Sequence, residues 1–415
     1  MKLLLHSLVF GISFSFSAYA QYTIDECWKK AEENYPMIER YGLIEQSENY
    51  TLSNASKGWL PQFTLSAKAT YQSDVTKLPM NISNMNIKTP DKDQYQVAAE
   101  VSQAIWDGGN IRSQRKIAQA SSVVEKKQQD VNMYALRERI NNLFFGILLL
   151  DEQLKQNAIL QQDLERQFNT ISSYIESGIA NQADLDAVKV TQLNIKQQKA
   201  ELTSSRNAYL QMLSSMTDTD MSAGLVRPDE LPVSTEINRP ELFLFNAQQS
   251  LYEQKKNAIS ARNMPKFSAF FQGLYGNPGL NMLKNDFAFN YVAGIRMSWN
   301  FGSFYTKKND IRLIETDKQN ISIQKETFLY NTKLQILQET NEIKKLRILM
   351  TDDSEIILLR KNIVKASEAK VENGTLSVSE LLRDINSESQ AVQNKILHEI
   401  QLLKAIYQLK NTTNN

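Results

Sequence analysis

Catalysis is usually carried by histidine, cysteine or closely arrayed acids, and this sequence is thin in the first two. It has one cysteine, Cys27, and two histidines, His6 and His398. So few, and so far apart, they leave poor material for a zinc site of His and Cys or for a nucleophile–base triad. One cysteine also forbids an internal disulfide. Asp107-Gly108-Gly109 lacks the lysine and the spacing of a phosphate-binding loop. What does recur is a pair of acids. Asp184 and Glu380 each stand six residues after a glycine, Gly178 and Gly374. Ser377-x-x-Glu380 is a capping box and Asn181-x-x-Asp184 resembles one, so each acid suits the first turn of a helix. Arg383, three residues beyond Glu380, is spaced to pair with it on a solvated helix face, for a few tenths of a kcal/mol. This chemistry is electrostatic. No enzyme activity, metal site or cofactor is expected from it.

The acids sit at the far ends of two long helical stretches. From Asn110 to Ser177 there is no proline and one glycine, Gly146. Ile117, Val124 and Val131 recur at seven, and Ile140, Phe144, Ile147 and Leu154 keep helical spacing. As one helix this stretch is roughly 100 Å long, at about 1.5 Å per residue. A second rod runs from about Thr306 to Val371, with Ile314, Ile321 and Phe328 at seven. Each rod stops at a glycine placed as a helix C-cap, Gly178 or Gly374, and a returning helix follows, from Asn181 to about Met216 and from Ser377 to about Lys410. The apolar patch Leu143 to Leu150 is too short to cross a membrane and reads as a packing zone between helices.

Each rod is preceded by two strands. Phe63, Leu65, Ala67, Ala69 and Tyr71 alternate with Thr64, Ser66, Lys68 and Thr70, the period of a strand with one apolar side. Tyr95 to Val101, Phe267 to Tyr275 and Phe287 to Trp299 read the same way, and the first pair ends at Trp106-Asp107-Gly108-Gly109. Pro61 and Pro265 are 204 residues apart (265 − 61), as are Phe63 and Phe267 and Tyr71 and Tyr275. A chain that repeats at half its length has two similar halves. The expected organisation is a secretory signal at 1–20, cleaved before Gln21, a first repeat at 21–216, a linker at 217–236 and a second repeat at 237–415. A shorter helix opens each repeat, interrupted in the first near Asn34-Tyr35-Pro36.

The formal net charge of +1 gives no field for nucleic acid. The strands, about 9–13 residues long, have the length and alternation of tilted membrane strands with a lipid side and a watery side. Phe63, Leu65, Tyr71, Val97, Tyr291 and Ile295 belong to the lipid side, and Thr64, Lys68, Glu100 and Arg296 to the lumen. Trp59, Trp106 and Trp299 fall at helix–strand junctions, where a membrane–water boundary would place them. Four strands cannot close a barrel and open edges are not tolerated in lipid, so several copies must contribute. Two copies give eight strands and a filled lumen, three give twelve and an open pore. The expected fold class is therefore an α+β membrane protein of two repeats, a conduit continued by long helices away from the membrane. A periplasmic coiled-coil adaptor is the alternative, although the many short strands and Gly-rich turns of an adaptor's barrel-like domain are not found.

The repeated helix–Pro–strand unit, the Trp-Asp-Gly-Gly break and the Gly-x-x-(Asn/Ser)-x-x-(Asp/Glu)-Leu turns at Gly178 and Gly374 resemble those of TolC-family outer-membrane efflux proteins. The resemblance covers essentially the whole chain after residue 20. It implies a homotrimer with a twelve-stranded barrel in outer-membrane lipid and a helical tunnel through the periplasm. It further implies docking on a periplasmic adaptor and an inner-membrane pump or secretion ATPase. Under it, the turns Gly178-Ile179-Ala180 and Gly374-Thr375-Leu376 are expected to meet the adaptor. Asp184 and Glu380, with Arg383, are expected at the periplasmic aperture. Arg383 stands where the family commonly has a second acid, which implies a gate that attracts cations less.

Overall fold

The computed structural model describes residues 21–76, 89–178, 180–232 and 234–415. The expected signal segment at 1–20, most of the first polar loop, Ile179 and Val233 lie outside the described residues. Among the described residues, eight α-helices and four strands follow in the order α1 (Ile24–Asn34), α2 (Arg40–Ser56), β1 (Gln62–Tyr71), β2 (Asp93–Trp106), α3 (Asn110–Tyr134), α4 (Leu136–Glu176), α5 (Gln182–Thr217), α6 (Pro240–Arg262), β3 (Lys266–Asn277), β4 (Ala288–Ser298), α7 (Ser303–Glu372) and α8 (Val378–Thr413). The break in the opening helix falls where Pro36 starts a short 3₁₀ turn between α1 and α2.

The first rod is not one helix, as its lack of proline suggested. It is interrupted at Ala135, whose backbone stays in the right-handed region at φ −61° and ψ −19°, and the neighbouring side chains are anchored. The Tyr134 hydroxyl donates to the Asn411 carbonyl, and the Arg137 guanidinium lies 5.3 Å from the Trp28 ring and 3.0 Å from Glu32. The second rod, α7, runs unbroken.

The chain forms two compact units, each drawing segments from both halves of the sequence. One comprises residues up to Ile38, Met133–Asn238 and Thr332–Asn415; the other comprises Glu39–Asn132 and Arg239–Asn331. The regular elements of the first are helices, apart from a bridge between Tyr22 and Leu225. Its core is the patch read as a packing zone: Leu143, Phe144, Phe145, Ile147 and Leu148 are buried, and Phe145 meets Tyr407 of α8 with ring centroids 5.5 Å apart. Gly146 lies where the Tyr209 ring of α5 comes close; a Cβ there would sit 2.6 Å from it. The linker is tied down by ion pairs from Arg227 to Glu399 and from Glu230 to Arg347.

The second unit holds one antiparallel sheet in the order β1-β2-β3-β4. Its register aligns the apolar parity of every strand. Leu65 pairs with Ala99, Ala99 with Gly273 and Gly273 with Tyr291, while Val101 pairs with Phe63 and Phe271. At the end of β2 a bulge between Ala104 and Trp106 turns the Trp106 ring towards Phe267, with centroids 6.1 Å apart. Asp107 then starts α3, accepting from the backbone N–H of Gly109 at 2.9 Å and of Ile111. Gly108 is obligatory there, because φ is 74° and a Cβ would sit 2.8 Å from the Met264 Cβ.

Candidate functional site

Two sets of residues carry the expected function, one in each unit. In the helical unit, the turn from α4 to α5 and the turn from α7 to α8 are built alike. Gly178 and Gly374 both take the left-handed conformation, φ 76° and 66°, and nothing lies within 4 Å of a Cβ built on either. They are glycine for backbone reasons alone. The Gly374 N–H donates to the Val371 carbonyl at 2.9 Å and the Thr375 N–H to that of Lys370 at 2.9 Å, closing the rod. The two turns share one apolar core. Leu164 and Ile171 of α4, Val188 of α5, Val371 of α7 and Leu381 of α8 are buried in it, and Ala180 and Leu376 pack on its edge. The turns therefore form a single tip, with Thr375 exposed and Ala180 and Leu376 half-buried.

Both acids at the tip are caps. The Asp184 N–H donates to Asn181 Oδ1 at 3.2 Å and the Asn181 N–H returns to Asp184 Oδ2 at 3.0 Å. The Glu380 N–H donates to Ser377 Oγ at 3.3 Å, and Glu380 Oε2 accepts from the Ser377 hydroxyl at 2.9 Å and its N–H at 3.2 Å. These bonds from Ser377, hydroxyl first, hold the Glu380 carboxyl below its usual range, with a smaller contribution from the charge of Arg383. Arg383 makes no ion pair with Glu380. It lies instead in an open groove of about 780 Å³ between α5, α7 and α8, with Arg360, Asp353, Asn386, Thr191 and Asn394. Asp184 does not line that groove. Removing the hydroxyl in Ser377→Ala is expected to raise the Glu380 pKa towards that of a free glutamate, read by carboxyl-carbon NMR titration; an unmoved titration would mean the cap is not what lowers it.

Sequence reasoning missed two polar contacts in the seam between α7 and α8. His398 Nδ1 lies 2.8 Å from Asp353 Oδ2, and the Ser367 hydroxyl donates to Asp384 at 2.7 Å. Asp353 and Ser367 are both buried. Leu346, Asp353 and Ser367 fall at multiples of seven along α7. A polar residue on an otherwise apolar seam needs a partner, and that spacing was the available signal.

In the sheet unit, all six side chains expected on the apolar side are exposed on one face, from Phe63 at 79 % and Leu65 at 76 % to Val97 at 47 %. The opposite face carries Thr64, Lys68, Glu100 and Arg296. There Arg296 pairs with Glu100 at 3.0 Å, from β4 across β3 to β2, and lies 4.4 Å from the Phe270 ring. Trp59, Trp106 and Trp299 gather at the end of the sheet where β1 and β3 begin and β2 and β4 end, each 41 % exposed. Trp299 Nε1 donates to the Asn263 carbonyl at 3.1 Å.

The family model for outer membrane efflux proteins matches residues 29–218. That stretch is similar to the outer membrane efflux protein family. The fold reaches beyond them. The outer membrane protein VceC of Vibrio cholerae matches with a TM-score of 0.67 at 10% identity, over 94% of this chain and 96% of that one. The CmeC outer membrane channel of Campylobacter jejuni matches with 0.65 at 11% identity, over 100% and 94%. The open state of the MtrE outer membrane channel of Neisseria gonorrhoeae matches with 0.63 at 13% identity, over 94% and 89%. No curated protein sequence matches the chain. The second half of the chain, α6 to α8, thus shares the fold of solved outer membrane channels. Among the described residues no helix is long and apolar enough to cross a membrane.

Proposed function

We propose that this chain is the outer-membrane channel subunit of a tripartite efflux or type I secretion system, built from two repeats and assembled as a homotrimer. The observation that carries this is the four-strand apolar face, continuous from Phe63 on β1 to Ile295 on β4, with the large side chains of β1 and β4 exposed. A soluble sheet would cover such a face. Lipid accepts it, but lipid tolerates no open strand edge, so β4 of one copy must pair with β1 of the next. Three copies close twelve strands around an open lumen. The three junction tryptophans then mark the membrane–water boundary on one side.

The helical unit supports the same assembly. Leu334, Leu337, Ile348, Ile356, Leu359 and Ile363 of α7 are exposed at steps that keep one face of a helix. In a trimer these side chains pack against the neighbouring copies and wall a periplasmic tunnel. The turns at Gly178-Ile179-Ala180 and Gly374-Thr375-Leu376 meet the periplasmic adaptor, which couples the channel to an inner-membrane pump. Since Ala180 and Leu376 lean on the core, Thr375 and the turn backbones carry that contact.

The decisive measurement is whether the protein fractionates with the outer membrane and runs as a heat-sensitive trimer in detergent gels; a soluble monomer would end this reading. The aperture is tested separately, in planar bilayers. Glu380→Gln trimers should keep the fold, change the resting conductance and lower cation preference, while Arg383→Asp should raise it. Unchanged selectivity in both, with lowered thermal stability, leaves Asp184 and Glu380 as caps only. A bulky residue at Thr375 should leave trimers intact yet abolish efflux. Cross-linking of the adaptor to residues 276–286 instead would reverse the orientation.

A further inference from the structure

The polar face of the sheet is not neutral. Sheet register puts four charged side chains on it: Lys68, Glu100, Lys266 and Arg296. Glu100 and Arg296 neutralise each other at 3.0 Å. Among the described residues neither Lys68 nor Lys266 has an ion-pair partner. The sheet thus keeps two uncompensated positive charges per copy, on the face opposite the apolar one. Lys68 has further company. The β3–β4 connection folds back over this face, so that a Cβ on Gly279 would sit 2.5 Å from the Asn290 side chain. Beneath it is a cavity of about 250 Å³ lined by Lys68, Gln96, Leu274, Asn277, Leu280 and Met282. One cation, amide groups and apolar side chains are what recognise an organic anion.

We propose that the inner wall of the barrel selects organic anions, with Lys68 as the residue that determines this specificity. The inference rests on the channel reading above and adds the charge class of the cargo to it. In a trimer the wall carries three Lys68 and three Lys266 side chains around an aqueous lumen bounded by low-dielectric material, which concentrates their field.

The test reads the local potential at the wall, apart from any aperture elsewhere. Full-length trimers carrying Ser66→Cys or Leu65→Cys in lipid vesicles are treated with a negatively charged sulfonate thiosulfonate and with its trimethylammonium counterpart. Cys27 is buried and its thiol is pushed up to about 12, so it stays silent. Rates are divided by those on a free thiol. At Ser66→Cys the anionic reagent should react faster. Lys68→Gln should slow the anion and speed the cation, each about three-fold, the effect of one charge ~7 Å away in water. Equal normalised rates in the parent, or no response to Lys68→Gln, would overturn the proposal. Leu65→Cys should not react with either reagent. If it reacts as readily as Ser66→Cys, the barrel itself is wrong and the inference falls with it.

Discussion

Lysine in place of Leu65 or Val97 abolishes trimer assembly, and lysine in place of Ser66 does not. Leu65 and Ser66 are adjacent on β1 and both exposed in a single copy, but they lie on opposite faces. A lysine on the lipid side near the bilayer midplane costs about 2–4 kcal/mol, and a trimer incurs that cost three times. The same lysine at Ser66 meets water. The measurement is the yield of heat-modifiable trimer in the outer-membrane fraction. Equal loss or equal tolerance at the two positions would remove the barrel. Glu100 is a poorer control than its parity suggests, because lysine there would face Arg296 and leave that guanidinium without its partner.

Phe144→Ala lowers the stability of the helical unit by about 3–5 kcal/mol, the range for emptying a buried aromatic site. Phe144 is fully buried, and its ring meets Phe145 edge-on with centroids 5.6 Å apart, while Phe145 in turn reaches Tyr407. Trp28 closes the group, 6.3 Å from Tyr407, with its Nε1 donating to the buried Asn141 at 2.9 Å. Three elements, α1, α4 and α8, lose packing if this group loosens, so little relaxation is open to fill the void. Urea unfolding followed by circular dichroism measures the change. Glu201→Ala, on an exposed face of α5, should stay within about 0.5 kcal/mol. A loss under about 1 kcal/mol at Phe144 would mean that the patch is not the core of this unit.

How far the sequence could be read depended on the period of each signal. Strand parity was legible because a period of two puts every side chain on one face or the other, and Phe63, Leu65 and Ile295 left no choice of register. The turn glycines were legible because only glycine takes φ of 76° and 66° readily. The capping boxes were legible as local sequence. The seam contacts of α7 and α8 were not, since Asp353 and His398 lie 45 residues apart and only their packing brings them together. Nor was the fate of the linker. It has no period of its own, and it is held by Tyr22, Glu399 and Arg347, all far away in the chain. The interruption at Ala135 has no proline or glycine to announce it. At the tip, the caps of Asp184 and Glu380 were local and legible, while the groove that holds Arg383 was not, because it is lined from α5, α7 and α8.

The interleaving of segments sets an order of events during export. All four strands and the helices around them are complete once Asn331 has been delivered, while the helical unit still lacks Thr332–Asn415. That missing part contains Tyr407 and the whole of α8, against which α4 packs. Since domains generally fold as units, the sheet unit is free to form first, and it does so with its apolar face bare. Under the assembly proposed above, the nascent subunit is for that interval an adhesive particle in a watery compartment, and its survival until the copies meet depends on a holding factor or on the rate of delivery, rather than on its own stability.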